Sequence, residues 1–119
     1  MKAKDRLGQR GEQLAEDYFR TMGVVILDRN WRCRDGELDL VVLDGETLVA
    51  VEVKSRSSWA FGHPFEAVDA VKLARIVRLA ASWAREHRVS HRARRVDVIA
   101  ITGIGRMDTP LVEHLRGVA

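Results

Sequence analysis

The chain has 119 residues, of which 46% are hydrophobic and 31% are charged, and this composition predicts a single globular domain over residues 1–119. No apolar run approaches the ~20 residues needed to cross a bilayer. The segment 1–17 lacks the apolar core of a secretory signal, and Cys33 is the only cysteine. These features argue against a membrane protein, a secreted protein and a disulfide-stabilised scaffold, and they predict a cytoplasmic location.

The net charge of +3 is too small to indicate a nucleic-acid-binding protein by itself, but the charge is unevenly distributed. Between Lys72 and Arg95 there are eight basic residues and a single acidic residue, Glu86. This local excess of positive charge predicts a phosphate-binding surface. The alternative is an ordinary solvated helix face.

A helix followed by three strands is predicted in the first half of the chain. Apolar spacing predicts a helix over 5–22, which Gly23 ends. A strand is predicted over 24–31, at a sheet edge because its last residues are polar. Two further strand-like runs occupy 37–54 and form a hairpin.

A loop, a long helix and a further strand are predicted in the second half. The loop covers 55–65, the helix runs from Glu66 to about His87, and the strand covers 95–102. Segment 107–116 fits either a strand or a short helix. The order α-β-β-β-α-β predicts the α/β class, with a mixed central sheet flanked by helices. The inward stripe of the long helix is expected to contain Leu73, Ile76, Val77, Ala80, Trp83 and Ala84.

Charged residues interrupt both strands of the hairpin, where a buried strand is normally apolar. Asp39 interrupts the first strand, and Glu52 and Lys54 interrupt the second. Burying an unpaired charge costs several kcal/mol, so we expect these charges to serve a function. Lys54 is also one of only four lysines beside sixteen arginines, which indicates that a compact ammonium is needed there.

Two registers of the hairpin are open, because either Asp44-Gly45 or Gly45-Glu46 forms a two-residue turn. The first register puts Glu37 opposite Glu52, and the second puts Asp39 opposite Glu52. Since side chains alternate along a strand, both registers place the charged residues of the two strands on one face. The opposite face is expected to be wholly apolar and to contain Leu38, Leu40, Val42, Val49, Val51 and Val53.

An aspartate followed on the next strand by Glu-x-Lys is an arrangement that holds a divalent ion beside a phosphodiester. Asp39 and Glu52 would be ligands of Mg²⁺ or Mn²⁺, with the main-chain carbonyl of Val53 as a third ligand. Lys54 would orient the attacking water or neutralise charge on the phosphate. The alternative is a cluster of salt bridges on a solvated sheet face.

Several further residues are expected around this site. Glu12 would approach the metal from the first helix, directly or through water, and Glu37 would support the site or form a salt bridge with a nearby arginine. Trp59 and Phe61 are expected to anchor their loop on the core, with stacking on a base as the alternative. The four histidines lack ligand spacing and are expected at the surface or in loops. The residues expected to contact nucleic acid are Arg56, Lys72, Arg75 and Arg78.

The motifs GQRGEQLAEDY, RNWRCRDGELDLV, VAVEVKSR, FGHPFEAV and RRVDVIAI, together spanning about 6–102, resemble the YraN-like family. That family is similar to the PD-(D/E)xK nuclease superfamily, near archaeal Holliday-junction resolvases. The resemblance implies a restriction-endonuclease-like core with Asp39, Glu52 and Lys54 in the catalytic positions. Glu12 matches the helical acid of the resolvase-like branch.

The leading hypothesis is therefore a metal-dependent endonuclease that acts on structured or branched DNA. DNA is preferred to RNA as the partner, and a homodimer would supply the two sites that cut two strands. A second hypothesis is a non-catalytic nucleic-acid-binding protein on a nuclease fold. A third is an interaction or scaffold module whose charged face is only solvated.

Overall fold

The structure, a computed structural model, describes residues 3–60 and 62–119, so Phe61 lies outside the described residues. Its elements, in chain order, are α1 (Ala3–Thr21), β1 (Val25–Cys33), β2 (Gly36–Asp44), β3 (Thr47–Arg56), a 3₁₀ helix (Pro64–Ala67), α2 (Ala70–Glu86), β4 (Arg94–Thr102) and β5 (Leu111–Leu115). The mixed α/β architecture with helices flanking the sheet is confirmed. Segment 107–116, for which the sequence allows either a strand or a short helix, contains the fifth strand, β5.

The five strands form one sheet in the order β1-β2-β3-β4-β5. The pair β3–β4 is parallel, with α2 as the crossover between them, and the other three pairs are antiparallel. The predicted edge position of β1 is confirmed. This topology is compatible with a nuclease-like fold. No helix in the described part of the chain is long and apolar enough to cross a membrane.

Two buried apolar layers lie on opposite faces of the sheet, one under each helix. Phe19 anchors the α1 layer and Trp83 anchors the α2 layer; burying a large apolar side chain stabilises a fold by about 1.5–3 kcal/mol. The α1 layer consists of Ala15, Phe19, Val24, Leu40, Val42, Val49, Val51, Ile99 and Ile101. The α2 layer consists of Leu38, Val41, Leu48, Ala50, Ile76, Leu79, Trp83, Ala84 and Val96.

The inward stripe predicted for α2 is wrong at Val77. Its side chain is exposed (45%), whereas Ile76 and Leu79 are buried. Successive residues of a helix are rotated by about 100°, so Ile76 and Leu79 share a face that Val77 cannot share fully. Trp83 is buried as expected.

The long helix begins at Ala70 and not at Glu66, because Asp69 caps it. The Asp69 carboxylate accepts a hydrogen bond of 2.8 Å from the Lys72 main-chain N–H. An aspartate in this position satisfies an N–H that has no partner within the helix. Residues Pro64–Ala67 form a separate 3₁₀ turn. The cap fixes Lys72 in the first turn of α2, beside β3.

Candidate active site

The hairpin uses the second of the two predicted registers. Leu43 pairs with Leu48 and Asp44 with Thr47, so Gly45-Glu46 is the turn. Gly45 has a φ of 60°, a left-handed conformation that glycine adopts without strain. Continued by one residue, this register sets Asp39 opposite Glu52.

The alternation of side chains breaks at Asp39. Leu38 packs in the α2 layer, but Leu40, two residues on, packs in the α1 layer. The prediction that Leu38 shares one apolar face with Leu40 is therefore wrong. The carboxylate of Asp39 accepts a hydrogen bond of 2.9 Å from the Val53 main-chain N–H, and this bond between β2 and β3 replaces regular main-chain pairing.

Strand β1 is irregular at the same level. The pairs Arg29–Leu40 and Trp31–Leu38 share one register with β2, but Asn30 and Asp39 between them do not pair. Asn30 has a φ of 50°, and asparagine is among the non-glycine residues that adopt this conformation most readily. The irregular segment opens a groove on the α1 side that is lined by Glu12, Asn30 and Asp39.

Glu52 is bound by two lysines. Its Oε1 lies 3.5 Å from the Nζ of Lys54 and 3.4 Å from the Nζ of Lys72. Lys54 comes from the same strand, and Lys72 is delivered by the first turn of α2. Glu52 and Lys54 are both largely buried, with side-chain exposures of 12% and 19%. Glu52 and Lys54 of the expected cluster are thus in contact, Lys72 joins them, and Asp39 is close enough for the charge of Glu52 to act on it.

Asp39 is a carboxylate whose surroundings disfavour its ionised form. Burial, followed by the charge of Glu52, raises its pKa to about 7, although the Val53 N–H bond acts in the opposite direction. Glu12 and Glu37 raise the pKa further. Among the described residues, Asp39 forms no ion pair. With Glu12 included, the site has three carboxylates (Glu12, Asp39 and Glu52) and two lysines (Lys54 and Lys72).

Glu12 reaches the site from α1. Burial, followed by the charge of Glu37, raises the pKa of Glu12, and a hydrogen bond with Asn30 partly offsets this. Glu16 and Glu52 raise the pKa as well. Glu12 therefore faces the same concentration of negative charge that surrounds Asp39.

A close approach of α1 to β3 places Glu12 at this depth. A Cβ atom built on Gly11 would lie 3.0 Å from the Ser55 Cβ and would overlap its hydroxyl oxygen. Only glycine permits this spacing without a shift of the helix. The Ser55 hydroxyl is buried and has no hydrogen-bond partner among the described residues.

The two lysines have perturbed ionisation. Burial, followed by the neighbouring Lys72 ammonium, lowers the pKa of Lys54, while Glu52 opposes the shift. Burial would also lower the pKa of Lys72, but its hydrogen bonds with Lys54 and Glu52 and the negative charges of Glu52 and Asp39 outweigh burial and raise it. Lys54 is therefore the lysine that loses its proton more easily.

The donor set at Asp39 fits a hard divalent cation. Within the described residues, no three histidine, cysteine or acidic side chains are grouped closely enough to hold a metal by themselves. Magnesium, however, keeps several waters and needs only one or two carboxylates. Asp39 and Glu52 supply two, and the Val53 carbonyl points to the same side of β3 as its N–H, which is bound to Asp39. The unneutralised charge on Asp39 is the feature that a cation would relieve.

The remaining predicted residues lie around this centre. Glu37 forms a salt bridge of 3.0 Å with Arg32, and a salt bridge with a nearby arginine is one of the two roles expected for it. Arg56 ends β3 and donates a hydrogen bond of 3.1 Å to the Ser55 carbonyl. Arg75 and Arg78 do not join the carboxylates, because they line a separate groove along α2.

Comparison with known proteins supports a family assignment. Residues 11–101 match the model of the uncharacterised protein family UPF0102. The chain belongs to the UPF0102 family. It is 55% identical over 118 residues to the UPF0102 protein of Paenarthrobacter aurescens, covering 99% of this chain and 97% of the relative. It is 57% identical to the UPF0102 protein of an Arthrobacter species, covering 99% of both chains. The resemblance to the YraN-like family is thereby confirmed.

Every candidate residue from Glu12 to Arg78 lies within the matched UPF0102 region. The UPF0102 protein of Beutenbergia cavernae is also 56% identical over 118 residues, with 99% of both chains covered. These relatives carry only the family name, so the chemistry must be argued from the geometry of the site.

Sequence reasoning missed two residues that shape the site. The predicted strand over 24–31 includes Asn30, although asparagine is depleted in strands and tolerates positive φ. Gly11 lies inside the predicted first helix, where a glycine costs about 1 kcal/mol relative to alanine and so indicates a packing requirement.

A buried network was also missed. Asp97 is fully buried and accepts hydrogen bonds from Arg95 (2.9 Å) and the Gly117 N–H (3.0 Å). It lies 2.7 Å from the His114 ring, whose other nitrogen lies 2.9 Å from the Tyr18 hydroxyl. The expectation that His114 is a surface or loop residue is wrong, since its side chain is only 6% exposed.

The loop after β3 is anchored on β4. The indole N–H of Trp59 donates a hydrogen bond of 3.0 Å to the Thr102 hydroxyl. His63 accepts a hydrogen bond from the Phe65 N–H and lies 2.7 Å from Glu113. Trp59 is therefore held by a hydrogen bond, but its side chain is 53% exposed and packs in neither apolar layer, so the expected anchoring on the core is wrong. Phe61 falls outside the described residues.

Proposed function

We propose that this protein is a metal-dependent nuclease that hydrolyses phosphodiester bonds in structured or branched DNA. The observation that carries the proposal is the uncompensated carboxylate of Asp39. Its charge interacts with that of Glu52 on β3, its pKa is raised to about 7, and no ion pair among the described residues neutralises it. Such strongly perturbed groups beside charged partners are concentrated at functional sites.

The residues divide into ligands and proton-handling groups. Asp39 and Glu52, with the Val53 carbonyl, would hold Mg²⁺ or Mn²⁺, and Glu12 would contribute through water. The ion, when bound, acidifies water and neutralises charge on phosphoryl oxygens. Lys54 is next to Glu52 and has a lowered pKa, so it can hydrogen-bond the attacking water as well as neutralise the phosphate.

Lys72 has a positioning role in this scheme. Its ammonium shares the Glu52 oxygen with Lys54, so it fixes the carboxylate and keeps the Lys54 pKa low. The Asp69 cap holds Lys72 in place at the start of α2. A fixed first turn allows these groups to act without reorganisation.

Membership of the PD-(D/E)xK superfamily is part of the proposal. It is supported by the order of Asp39, Glu52 and Lys54 on adjacent strands and by a mixed sheet with a helix on each face. The choice of branched DNA rests on the resemblance to resolvases. A homodimer is proposed because two such sites are needed to cut two strands.

A titration calorimeter tests the metal site directly. We expect Mn²⁺ to bind the wild-type protein in the millimolar range or tighter, and Asp39→Asn to weaken binding at least tenfold, since one of two carboxylate ligands is lost. Glu46→Gln is the matched control, because Glu46 is an exposed acid at the tip of the β2–β3 turn. Absence of binding, or equal binding by Asp39→Asn, would contradict the metal site.

One observation favours a second candidate function, a nucleic-acid-binding protein without hydrolysis. Glu52 is already neutralised by Lys54 and Lys72, so one of the two proposed ligands has partners without a metal. This candidate predicts binding of DNA without cleavage in Mg²⁺ or Mn²⁺. Lys54→Ala would then leave the affinity for DNA unchanged.

A further inference from the structure

A second charged groove lies along α2, away from the Asp39 site. It has a volume of about 520 Å³ and lies between α2 and the β1–β2 turn. We call it the arginine groove. Its charged and polar lining consists of Arg75, Arg78, Ser82, Arg85 and Asp35.

The arginines of this groove share one face of the helix and form no ion pair with any residue that the structure describes. Arg75, Arg78 and Arg85 are spaced by three and seven residues, which keeps them on one side of α2. Arg85 also donates a hydrogen bond of 3.0 Å to the Ser82 hydroxyl, which orients it within the groove. The described ion pairs that involve an arginine use Arg20, Arg29, Arg32 and Arg95 instead.

The opposite wall is brought close by a glycine. A Cβ atom built on Gly36 would lie 3.2 Å from the Leu79 side chain and 3.7 Å from the Arg75 side chain. Gly36 also has a φ of 145°, which disfavours other residues. The β1–β2 turn can therefore lie against α2, and it brings the carboxylate of Asp35 to the rim of the groove.

Helix α2 leads from the candidate active site to the arginine groove. At its start, Lys72 contacts Glu52 on β3, and near its end Glu86 accepts a hydrogen bond of 2.8 Å from the Trp31 side chain on β1. The helix therefore crosses the sheet from β3 to β1. From Lys72 to Arg85 it rises about 20 Å, which is long enough for several phosphates.

The other side of the site has the opposite charge. A groove at the start of α1 is lined by Asp5, Glu12 and Glu37, and the Arg32 beside them is already bound to Glu37. A polyanion would be repelled there. Along α2, the arginine groove continues the positive charge that begins at Lys72, and its arginines form no ion pair among the described residues.

We propose that the arginine groove binds the phosphate backbone of a nucleic-acid strand, so that the strand leaves the Asp39–Glu52 site along α2 and avoids the α1 side. The inference rests on the proposed function for the position of the reacting phosphate. Guanidinium groups suit phosphates because they donate paired hydrogen bonds in a fixed plane. A linear polyanion fits a row of cations about 20 Å long better than a single anionic headgroup does.

Fluorescence anisotropy with fluorescein-labelled duplex DNA in EDTA tests the groove without hydrolysis. The double variant Arg78→Gln/Arg85→Gln should weaken binding by about tenfold or more. It should also make the negative slope of log K against log[salt] shallower by roughly 2, since each lost phosphate contact removes about 0.9 from its magnitude. A merely structural role would not change that slope. Asp35→Asn should tighten binding, because it removes a negative charge from the rim.

The control is Arg116→Gln, which removes one positive charge from an exposed arginine beyond β5, at the sheet edge opposite β1. It should leave affinity and slope unchanged. Equal losses in Arg116→Gln and the groove variant, or no loss in the groove variant, would overturn the inference. Arginine-dependent binding to phosphatidylserine vesicles without binding to DNA would overturn it as well.

Failure of the inference and failure of the proposed function are distinguishable. If the groove variant loses DNA affinity but the wild-type protein cuts nothing, the groove is supported and the nuclease is contradicted. If the wild-type protein cuts DNA and the groove variant binds and cuts normally, the nuclease is supported and the groove is contradicted.

Discussion

The carboxylate of Asp39 on β2 accepts a hydrogen bond of 2.9 Å from the main-chain N–H of Val53 on β3. Main-chain N–H groups of a strand point along the plane of the sheet, so this bond holds the carboxylate in the gap between the two strands. From that gap it interacts with Glu52 and with Glu12 of α1. Asp39 therefore interacts with charged residues on both faces of the sheet.

Asp39→Asn should stabilise the metal-free protein at alkaline pH. The folded-state pKa, about 7, lies above the ordinary 3.8, so ionisation of Asp39 costs stability as the pH rises towards and through 7. An asparagine stays neutral and its oxygen can still accept the Val53 N–H. We expect a gain of roughly 1–3 kcal/mol at about pH 8, discounted for partial solvation from ~1.4 kcal/mol per pKa unit, and little gain near pH 4.

Urea unfolding in EDTA at both pH values measures this gain. Asp108→Asn is the control, because Asp108 is an exposed aspartate in the loop before β5. A gain that is the same at both pH values, or a loss of stability at the higher pH, would show that Asp39 is not destabilised by its charge.

Lys72→Gln should raise the pKa of Lys54. The variant removes a positive charge and a hydrogen bond that lower this pKa, and it leaves Glu52 to Lys54 alone. Burial, the largest cause of the shift, remains, so the recovery should be partial. NMR titration of the lysine Cε signals measures it, and the presence of only four lysines simplifies assignment. An unchanged or lower Lys54 pKa would contradict the coupling.

Two glycines of α1 should respond in opposite directions to alanine. Gly8 has no atom within 4 Å of a built Cβ, so Gly8→Ala should stabilise the protein by up to ~1 kcal/mol. Gly11→Ala must displace Ser55, and overpacking of this kind costs about 1–3 kcal/mol, which exceeds the helical gain. Thermal unfolding of the two variants compares them. Equal stabilisation would mean that α1 does not need its close approach to β3.

Gly11→Ala should also weaken Mn²⁺ binding, since a shifted α1 moves Glu12 away from the site. Gly8→Ala provides the control in the same helix. Unchanged Mn²⁺ affinity in Gly11→Ala would remove Glu12 from the proposed ligand sphere.

Asp97 should stabilise the fold above acidic pH. Burial alone would raise its pKa, but the bonds from Arg95, the Gly117 N–H and His114 outweigh burial and lower it. Stability from a lowered pKa is present above the unfolded value of 3.8 and is lost as the pH falls through the folded value. Asp97→Asn should therefore cost roughly 3 kcal/mol at neutral pH, and less in acid.

Asp44→Asn is the matched control for this network. Asp44 pairs with the same Arg95 at 2.8 Å but is 44% exposed, so its loss should cost under about 1 kcal/mol. Urea unfolding at neutral and acidic pH separates the two variants. Similar costs for both would show that Asp97 acts as an ordinary surface partner.

Period-2 and period-3.6 patterns were sufficient to predict α1, the first four strands and α2 within a few residues. The hairpin charges were predicted because buried charge is rare. The details that shape the site were not predictable from periodicity. The break at Asp39 depends on a side chain replacing a main-chain partner, and the position of Glu12 depends on the packing of Gly11 against Ser55. Both are tertiary contacts between segments distant in sequence.

The secondary structure of segment 107–116 could not be predicted for a similar reason. Segment 107–116 is short and mixed in character, and β5 forms because it can pair with the edge of β4. The burial of His114 follows from that pairing, since it lies opposite Ile99 and over Asp97. Neither contact has a local signature.

Cleavage of a labelled substrate panel tests the central claim most directly. Four-way junction, flap, duplex and single-stranded DNA would be incubated with Mg²⁺ or Mn²⁺ and with the wild-type protein, Lys54→Ala or the control Glu46→Gln. The proposed function predicts cleavage of at least one branched substrate, a loss of about 10²-fold or more in Lys54→Ala with affinity retained, and a normal rate in Glu46→Gln. No cleavage of any substrate in either metal, or a wild-type rate in Lys54→Ala, would contradict it.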